Sequence, residues 1–176
     1  MKTQTIDLAA YVRDVPDFPQ PGVIFKDITP LLANACALDA CIGALAAPFR
    51  DQRIDAVCAI ESRGFIFGAA LARDLGAGFV PIRKPRKPPA RTIGIEYALE
   101  YGNDRLEMHV DALVAGSRVI LVDDVVATGG TLLASRLLIG QLGAELVAAA
   151  VVIELGFLNA RAHWPEDVPL HALILY

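Results

Sequence analysis

The sequence predicts an α/β fold, a central parallel sheet flanked by helices, and three observations carry the prediction. Apolar runs recur at residues 57–60, 79–82, 119–122 and within 143–154 and read as strands, with 119–122 buried on both faces and 57–60 and 143–154 also buried. Two of them lead through short loops into helical spacing, first Phe65, Ile66, Ala69, Ala70 and Leu71, then Leu132, Leu133, Leu137 and Leu138, the strand–helix alternation of a parallel sheet. Finally, 55% of the 176 residues are hydrophobic, which suits one domain with a sizeable core.

In chain order, Ile6, Leu8, Ala9, Tyr11 and Val12 suggest a short helix closed before Pro16. Pro19, Pro21 and Gly22 break any regular helix over residues 18–30 and leave an aromatic-bearing loop suited to an interface or a pocket roof. Residues 38–49 read as a helix weakened by Gly43 and ended by Pro48. Strand 57–60 runs into Glu61-Ser62-Arg63-Gly64, an anion-site candidate at the carboxyl end of a parallel strand, although a surface arginine after a strand reads the same way. Strand 79–82 is followed by five cations, Arg83, Lys84, Arg86, Lys87 and Arg91, in an otherwise acidic chain. Such a run is ordinarily a solvated face, but it also suits a polyanion, since charge-assisted contacts are the strong ones. Residues 92–102 and 105–109 suggest a hairpin turning at Gly102, Asn103 and Asp104. Residues 143–154 and 170–175 supply the last strands.

A formal charge of −4 and the lack of stacking aromatics in the basic run argue against nucleic-acid binding. The longest apolar stretch, 146–153, is too short to span a bilayer, and no apolar signal region follows Met1. Cys36, Cys41 and Cys58 lack metal-ligand spacing and read as reduced structural thiols of a cytoplasmic protein. His109, His163 and His171 are scattered and take no role.

The chemistry concentrates in residues 119–131. A buried strand, 119–122, ends in Asp123 and Asp124, followed by Ala127-Thr128-Gly129-Gly130-Thr131 and a helix for which Thr131 is a candidate N-cap. Glycines that turn backbone N–H groups toward a guest, at a helix N-terminus, make a phosphate site. Two acceptor-only carboxylates suit the vicinal diol of a ribose. A bare acidic turn capping a helix is the plainer alternative. There is no lysine after the glycines, so this is not a nucleotide-triphosphate loop, and the glycine spacing is not that of a dinucleotide fold.

The whole string resembles the phosphoribosyl pyrophosphate (PRPP) motif of the type I phosphoribosyltransferases, and five motifs in that family's order span nearly the whole chain. The resemblance is to the adenine-using branch. It implies the type I fold in a single domain, 1–176, with a hood at roughly 15–32 plus 155–162 and a flexible β-hairpin loop at roughly 84–108. The implied reaction is purine salvage: adenine and PRPP give AMP and pyrophosphate, with Mg2+, in a cytoplasmic homodimer that binds neither nucleic acid nor membrane. Asp123 and Asp124 would then hold the ribose, near a Mg2+ carried by substrate rather than by protein ligands. Ala127, Thr128, Gly129, Gly130 and Thr131 would hold the 5′-phosphate. Ser62, Arg63, Arg83, Lys84 and Lys87 would hold pyrophosphate, Arg83 across the dimer. The hood would place Phe25 on a purine face, with the main chain of Ile24 and Lys26 reading the base edge and Leu158 on the opposite face. Glu100 would correspond to the proton-transfer residue and Tyr101 to a neighbour that closes the site, with Arg63 also counted as catalytic. A non-proline cis peptide would fall at Glu61–Ser62 or, as the second candidate, at Ser62–Arg63. Read without the family, Phe25 is a core residue and Glu100 an exposed strand carboxylate. Lys26 departs from the arginine common in relatives, which cannot be matched for a planar fork. A different purine base and a non-catalytic PRPP sensor are the rival readings.

Overall fold

The computed structural model describes residues 6–85, 91–99 and 102–176. The chain divides into two compact units, Met1–Ala44 and Leu45–Tyr176.

In the first unit a single 3-10 turn, Leu8–Tyr11, capped by the Asp7 carboxylate on the Ala9 amide at 3.1 Å, replaces the expected N-terminal helix. The chain then enters a hairpin: β1 (Arg13–Pro16) pairs antiparallel with β2 (Ile24–Asp27). The proline-rich connection turns at Asp17, at φ 57, whose carboxylate accepts from the Gly22 amide at 2.7 Å. Cross-strand pairs Arg13–Asp27 and Lys26–Asp14 flank the hairpin. Phe18 meets Phe25 edge to face at 5.2 Å. Helix α1 (Thr29–Ala33) starts where Asp27 accepts from the Thr29 amide at 2.9 Å. The Thr29 hydroxyl and amide, and then Arg13, hold the Asp27 carboxyl down at about 2. Helix α2 (Ala35–Ala46) begins earlier than the apolar spacing suggested because Asn34 caps it, accepting from the Ala37 amide at 3.0 Å.

The second unit contains a five-stranded parallel sheet in the order β4-β3-β7-β8-β9, with β3 (Ala56–Ile60), β4 (Gly78–Ile82), β7 (Arg118–Val126), β8 (Glu145–Glu154) and β9 (Leu170–Leu175). Every residue of β3 is buried, as its unbroken apolar run requires. Helix α3 (Gly64–Leu75) lies so flat on the sheet that a Cβ on Gly68 would stand 2.3 Å from that of Ala59. Helix α4 (Gly130–Gln141) packs Leu132, Leu138 and Ile139 into the core. The hairpin of β5 (Thr92–Leu99) and β6 (Gly102–His109) pairs as far as Leu99 opposite Gly102, so Gly102, Asn103 and Asp104 belong to the strand and not to the turn. Its base is fixed by reciprocal backbone bonds between Arg83 and Glu107 of 2.9 and 2.7 Å, and Ile93, Ile95 and Tyr97 pack against the core.

Cys41 and Cys58 are buried, which pushes their thiols up to about 12, while Cys36 is exposed; all three are free. Among the described residues no helix is long and apolar enough to cross a membrane.

Candidate active site

Strand order places the site. From β3 the chain steps outward to β4, whereas from β7 it steps the other way to β8 and β9, so the order reverses between β3 and β7. In a parallel sheet the loops leaving two such strands part, and a crevice opens at their carboxyl ends. A cavity of about 370 Å³ lies there, lined from one side by residues 60–63 and from the other by Asp123, Asp124 and residues 125–129. Lys84, Tyr97, Asp104, Leu106, Thr131 and Leu132 complete it.

The β7 side is built from contiguous chain. The strand extends through both aspartates to Val126, four residues beyond the expected end, so the carboxylates sit on regular backbone next to β8. Asp124 is 5% exposed, and its amide donates to Asp123 Oδ1 at 2.9 Å. Burial, and then the Asp124 charge, push the Asp123 carboxyl well above the usual range. Burial also raises Asp124, against the opposing pull of Arg63. The loop then turns at Gly129, whose φ of 89 only glycine adopts readily and whose Cβ would press on Ala160 at 3.3 Å. Gly129 is the N-cap of α4, and no side chain caps the helix; Thr131 lies one residue inside the first turn. The expected threonine cap is therefore replaced by an open helix start, because the left-handed glycine sets the entry angle.

The other side is assembled from separated segments. The Glu61–Ser62 peptide is cis, as the resemblance implied. Arg63 Nε lies 2.8 Å from Asp124 Oδ2, and Gly64 is required behind it, since a Cβ there would stand 2.9 Å from Asp123 Oδ1. Arg83 Nε reaches Glu61 Oε2 at 3.3 Å, and the Lys84 amide donates to the same oxygen at 3.0 Å. Lys84 Nζ donates to Asp104, which also accepts from Tyr97 Oη at 3.3 Å and the Arg105 amide at 2.8 Å. Burial acts to raise the Asp104 carboxyl, but Lys84 and the Arg105 amide bring it below the usual range; Lys84 is raised in turn by its bond to Asp104. Glu61, Tyr97 and Asp104 took no role from the sequence. The one signal for Glu61 and Asp104 was charge: cations at and beside the cavity need counter-ions, and no spacing rule says which carboxylates supply them.

The remaining predicted residues are placed as follows. Ser62 is exposed beside Arg63. Leu158 ends a 3-10 turn, Gly156–Leu158, that follows β8, and is partly buried. This segment is tied to β7 by the Leu155 amide on the Val126 carbonyl at 2.9 Å. In the first unit Phe25 is half-buried, Ile24 is exposed, and Lys26 Nζ pairs with Asp14 Oδ1 at 2.7 Å. Lys87, Glu100 and Tyr101 lie outside the described residues. Among the described residues no set of three or more His, Cys, Asp or Glu converges as a metal site.

A parallel-sheet crevice holding two carboxylates, an uncapped helix start and paired cations is the site of a group-transfer protein for a phosphorylated sugar. The chain belongs to the phosphoribosyl transferase domain family, which it matches over residues 27–167. It is 56% identical over 165 residues to the adenine phosphoribosyltransferase of Xanthomonas campestris pv. campestris, covering 94% of this chain and 89% of that one. The adenine phosphoribosyltransferase of Rhodothermus marinus superposes with a TM-score of 0.92 at 49% identity, covering 96% of each chain. That of Saccharomyces cerevisiae, in complex with an imino-altritol bisphosphate and adenine, does so with a TM-score of 0.89 at 39% identity, over 94% of this chain and 96% of that one.

Proposed function

We propose that this chain is a purine-salvage enzyme that transfers the 5-phosphoribosyl group of PRPP to adenine, giving AMP and pyrophosphate. The observation that carries the reading is the convergence, in one cavity, of Asp123, Asp124, the 127–131 loop and the Arg63–Lys84 cations. The amides of Ala127, Thr128, Gly129, Gly130 and Thr131 hold the 5′-phosphate, which the α4 dipole favours. Asp123 and Asp124 accept from the ribose hydroxyls. Ser62, Arg63, Arg83, Lys84 and Lys87 hold the diphosphate. Ile24, Phe25 and Lys26 contact adenine, as does Leu158.

Bond formation joins adenine N9 to C1 of the sugar while the C1–O bond breaks and its electron pair leaves with pyrophosphate. Positive charge develops on the ribose ring, and the carboxylates stabilise it. Arg63, freed from Asp124, takes up charge on the leaving group and so acts as a catalytic residue. Glu100 exchanges the proton that adenine gives up at N9 or holds at N7, and Tyr101 closes the site. Two adjacent carboxylates facing the cavity fit a Mg2+ that would be carried in by the substrate's oxygens, with Asp123 and Asp124 close by rather than ligating it. When bound, that ion neutralises diphosphate charge. The protein works in the cytoplasm as a homodimer within a single phosphoribosyltransferase domain, whose hood comprises roughly 15–32 and 155–162 and whose closing loop comprises roughly 84–108. Arg83 serves the partner subunit.

Release of pyrophosphate from PRPP and Mg2+ with adenine, guanine, hypoxanthine or xanthine tests the reading. Release is expected with adenine. Release with another purine instead overturns the base assignment, and release with none of them overturns the enzyme.

A further inference from the structure

Lys84 is fixed at both ends. Its amide donates to Glu61 Oε2 at 3.0 Å, and its ammonium donates to the Asp104 carboxylate. Asp104 lies on β6 directly opposite Tyr97 on β5, and the Tyr97 hydroxyl donates to it at 3.3 Å. The Arg105 amide donates to the other Asp104 oxygen at 2.8 Å. Lys84, Tyr97, Asp104 and Thr131 all line the same cavity. Unlike Asp123 and Asp124, Asp104 has no ribose role to account for a carboxylate in a cavity meant for a polyanion, and an ion pair this exposed adds little to stability.

From this geometry we infer that Asp104 is a positioning residue: it holds the Lys84 ammonium at the cavity before substrate arrives. The inference rests on the pyrophosphate role proposed above for Lys84. A lysine side chain is a flexible four-carbon stem whose ordering opposes binding. A carboxylate that orders it in the free protein removes that cost from the binding step, which is the general advantage of preorganisation. The ammonium has three donors. Asp104 takes one, and the others remain for phosphate oxygens, so the anion and Asp104 can share the cation without exchange. The anion contacts the ammonium directly, whereas the carboxylate acts on it from behind that charge. Positioning therefore outweighs repulsion, and loss of Asp104 weakens binding rather than strengthening it.

The test is a double-mutant cycle. Calorimetric titration of magnesium pyrophosphate into the wild type, Asp104→Asn, Lys84→Ala and the double variant gives the coupling directly. Asp104→Asn should weaken pyrophosphate binding roughly two- to tenfold, the span set by ordering one long side chain. It should raise the PRPP KM by a similar factor and leave the adenine KM within about twofold, well under the tenfold that 1.4 kcal/mol represents. In the Lys84→Ala background it should have no further effect. A structural role would instead lower Tm and weaken both backgrounds equally. Unchanged or tighter binding in Asp104→Asn, or the same loss with Lys84 absent, overturns the inference. If the Asn variant does not fold, Asp104→Ser completes the same cycle. A wild type that binds pyrophosphate but releases none from PRPP with adenine overturns the enzymatic reading and leaves Asp104 to be judged on binding alone.

Discussion

The two sides of the cavity reach similar ends by opposite means. The β7–α4 side is one uninterrupted strand, loop and helix, and its two carboxylates stand side by side with burial raising both. The opposite side is a set of cations brought from the segments that follow β3 and β4, each held by a carboxylate: Arg63 by Asp124, Arg83 by Glu61 and Lys84 by Asp104. One side stores unfavourable like charge for a ligand to relieve. The other side enters the reaction already neutralised. A substrate carrying both a diol and a diphosphate answers both at once.

The largest effect should come from a residue outside the described segments. Both sides are assigned to binding and neutralising, and the proton exchange with adenine is assigned to neither. Glu100→Gln should therefore lower the single-turnover rate roughly 10²–10⁴-fold, the usual span for a positioned acid or base. Calorimetry should show PRPP binding little changed. A variant that keeps more than about a tenth of the rate, well short of that loss, would reduce Glu100 to a lid residue.

Gly129→Ala attacks the contiguous side. At φ 89 a Cβ is strained, and it would also stand 3.3 Å from Ala160 Cβ. We expect a loss of about 1–2 kcal/mol in stability, measured by urea unfolding, from the left-handed backbone alone. The PRPP KM should rise about tenfold or more, equivalent to 1.4 kcal/mol. Loss of stability with an unchanged PRPP KM would detach the loop from phosphate binding.

Asp123→Asn asks whether the like charge is really held in store. Burial raises the Asp123 carboxyl, so the folded chain keeps a proton there that the unfolded chain gives up near 3.8. Stability contributed by this group therefore falls as pH rises past that value. Near neutral pH the Asn variant should be the more stable, with Tm higher by about 2–4 °C for roughly 1 kcal/mol in a chain of this length. The advantage should shrink as pH falls toward 3.8, and transferase activity should drop at every pH. A variant less stable than the wild type at neutral pH would show that the pair is not strained.

The smallest effect is expected at Lys26. Its side chain pairs with Asp14, and only its main chain is assigned to adenine. Lys26→Arg should therefore leave the adenine KM within a few fold, whereas a tenfold change, about 1.4 kcal/mol, would mean that the side chain takes part.

The contrast between the two sides also explains what could be read in advance. Strand 57–60 was legible because both-face burial leaves an unbroken apolar run, whereas 79–82 and 170–175 are edge strands, found from their apolar residues although Phe79, Pro81 and Leu175 are exposed. The 119–131 site was legible because its parts are neighbours in the chain. Two errors there have local causes: β7 continues through Asp123 and Asp124 because β8 pairs with it as far as Val126, and Gly129 displaced Thr131 as cap because positive φ dominates the turn. The register of β5 and β6 was misjudged because Gly102 and Asn103 carry turn chemistry but sit in paired strand. Glu61 and Asp104 were not found because they meet their cations only through the sheet order and the Arg83–Glu107 bridge, neither of which leaves a spacing.

The pairing of Arg63, Arg83 and Lys84 also bears on how quickly a ligand arrives. A cation beside its own carboxylate presents a dipole to the solvent, and that field dies away well inside the screening length of about 10 Å at 0.1 M salt. The chain as a whole carries −4, which repels a polyanion in the same solvent. These three paired cations therefore add little pull on an anionic ligand at a distance, and their attraction begins only at contact. Discrimination by them is thereby deferred to the cavity itself, while the −4 net charge should make capture slightly faster as added salt screens it.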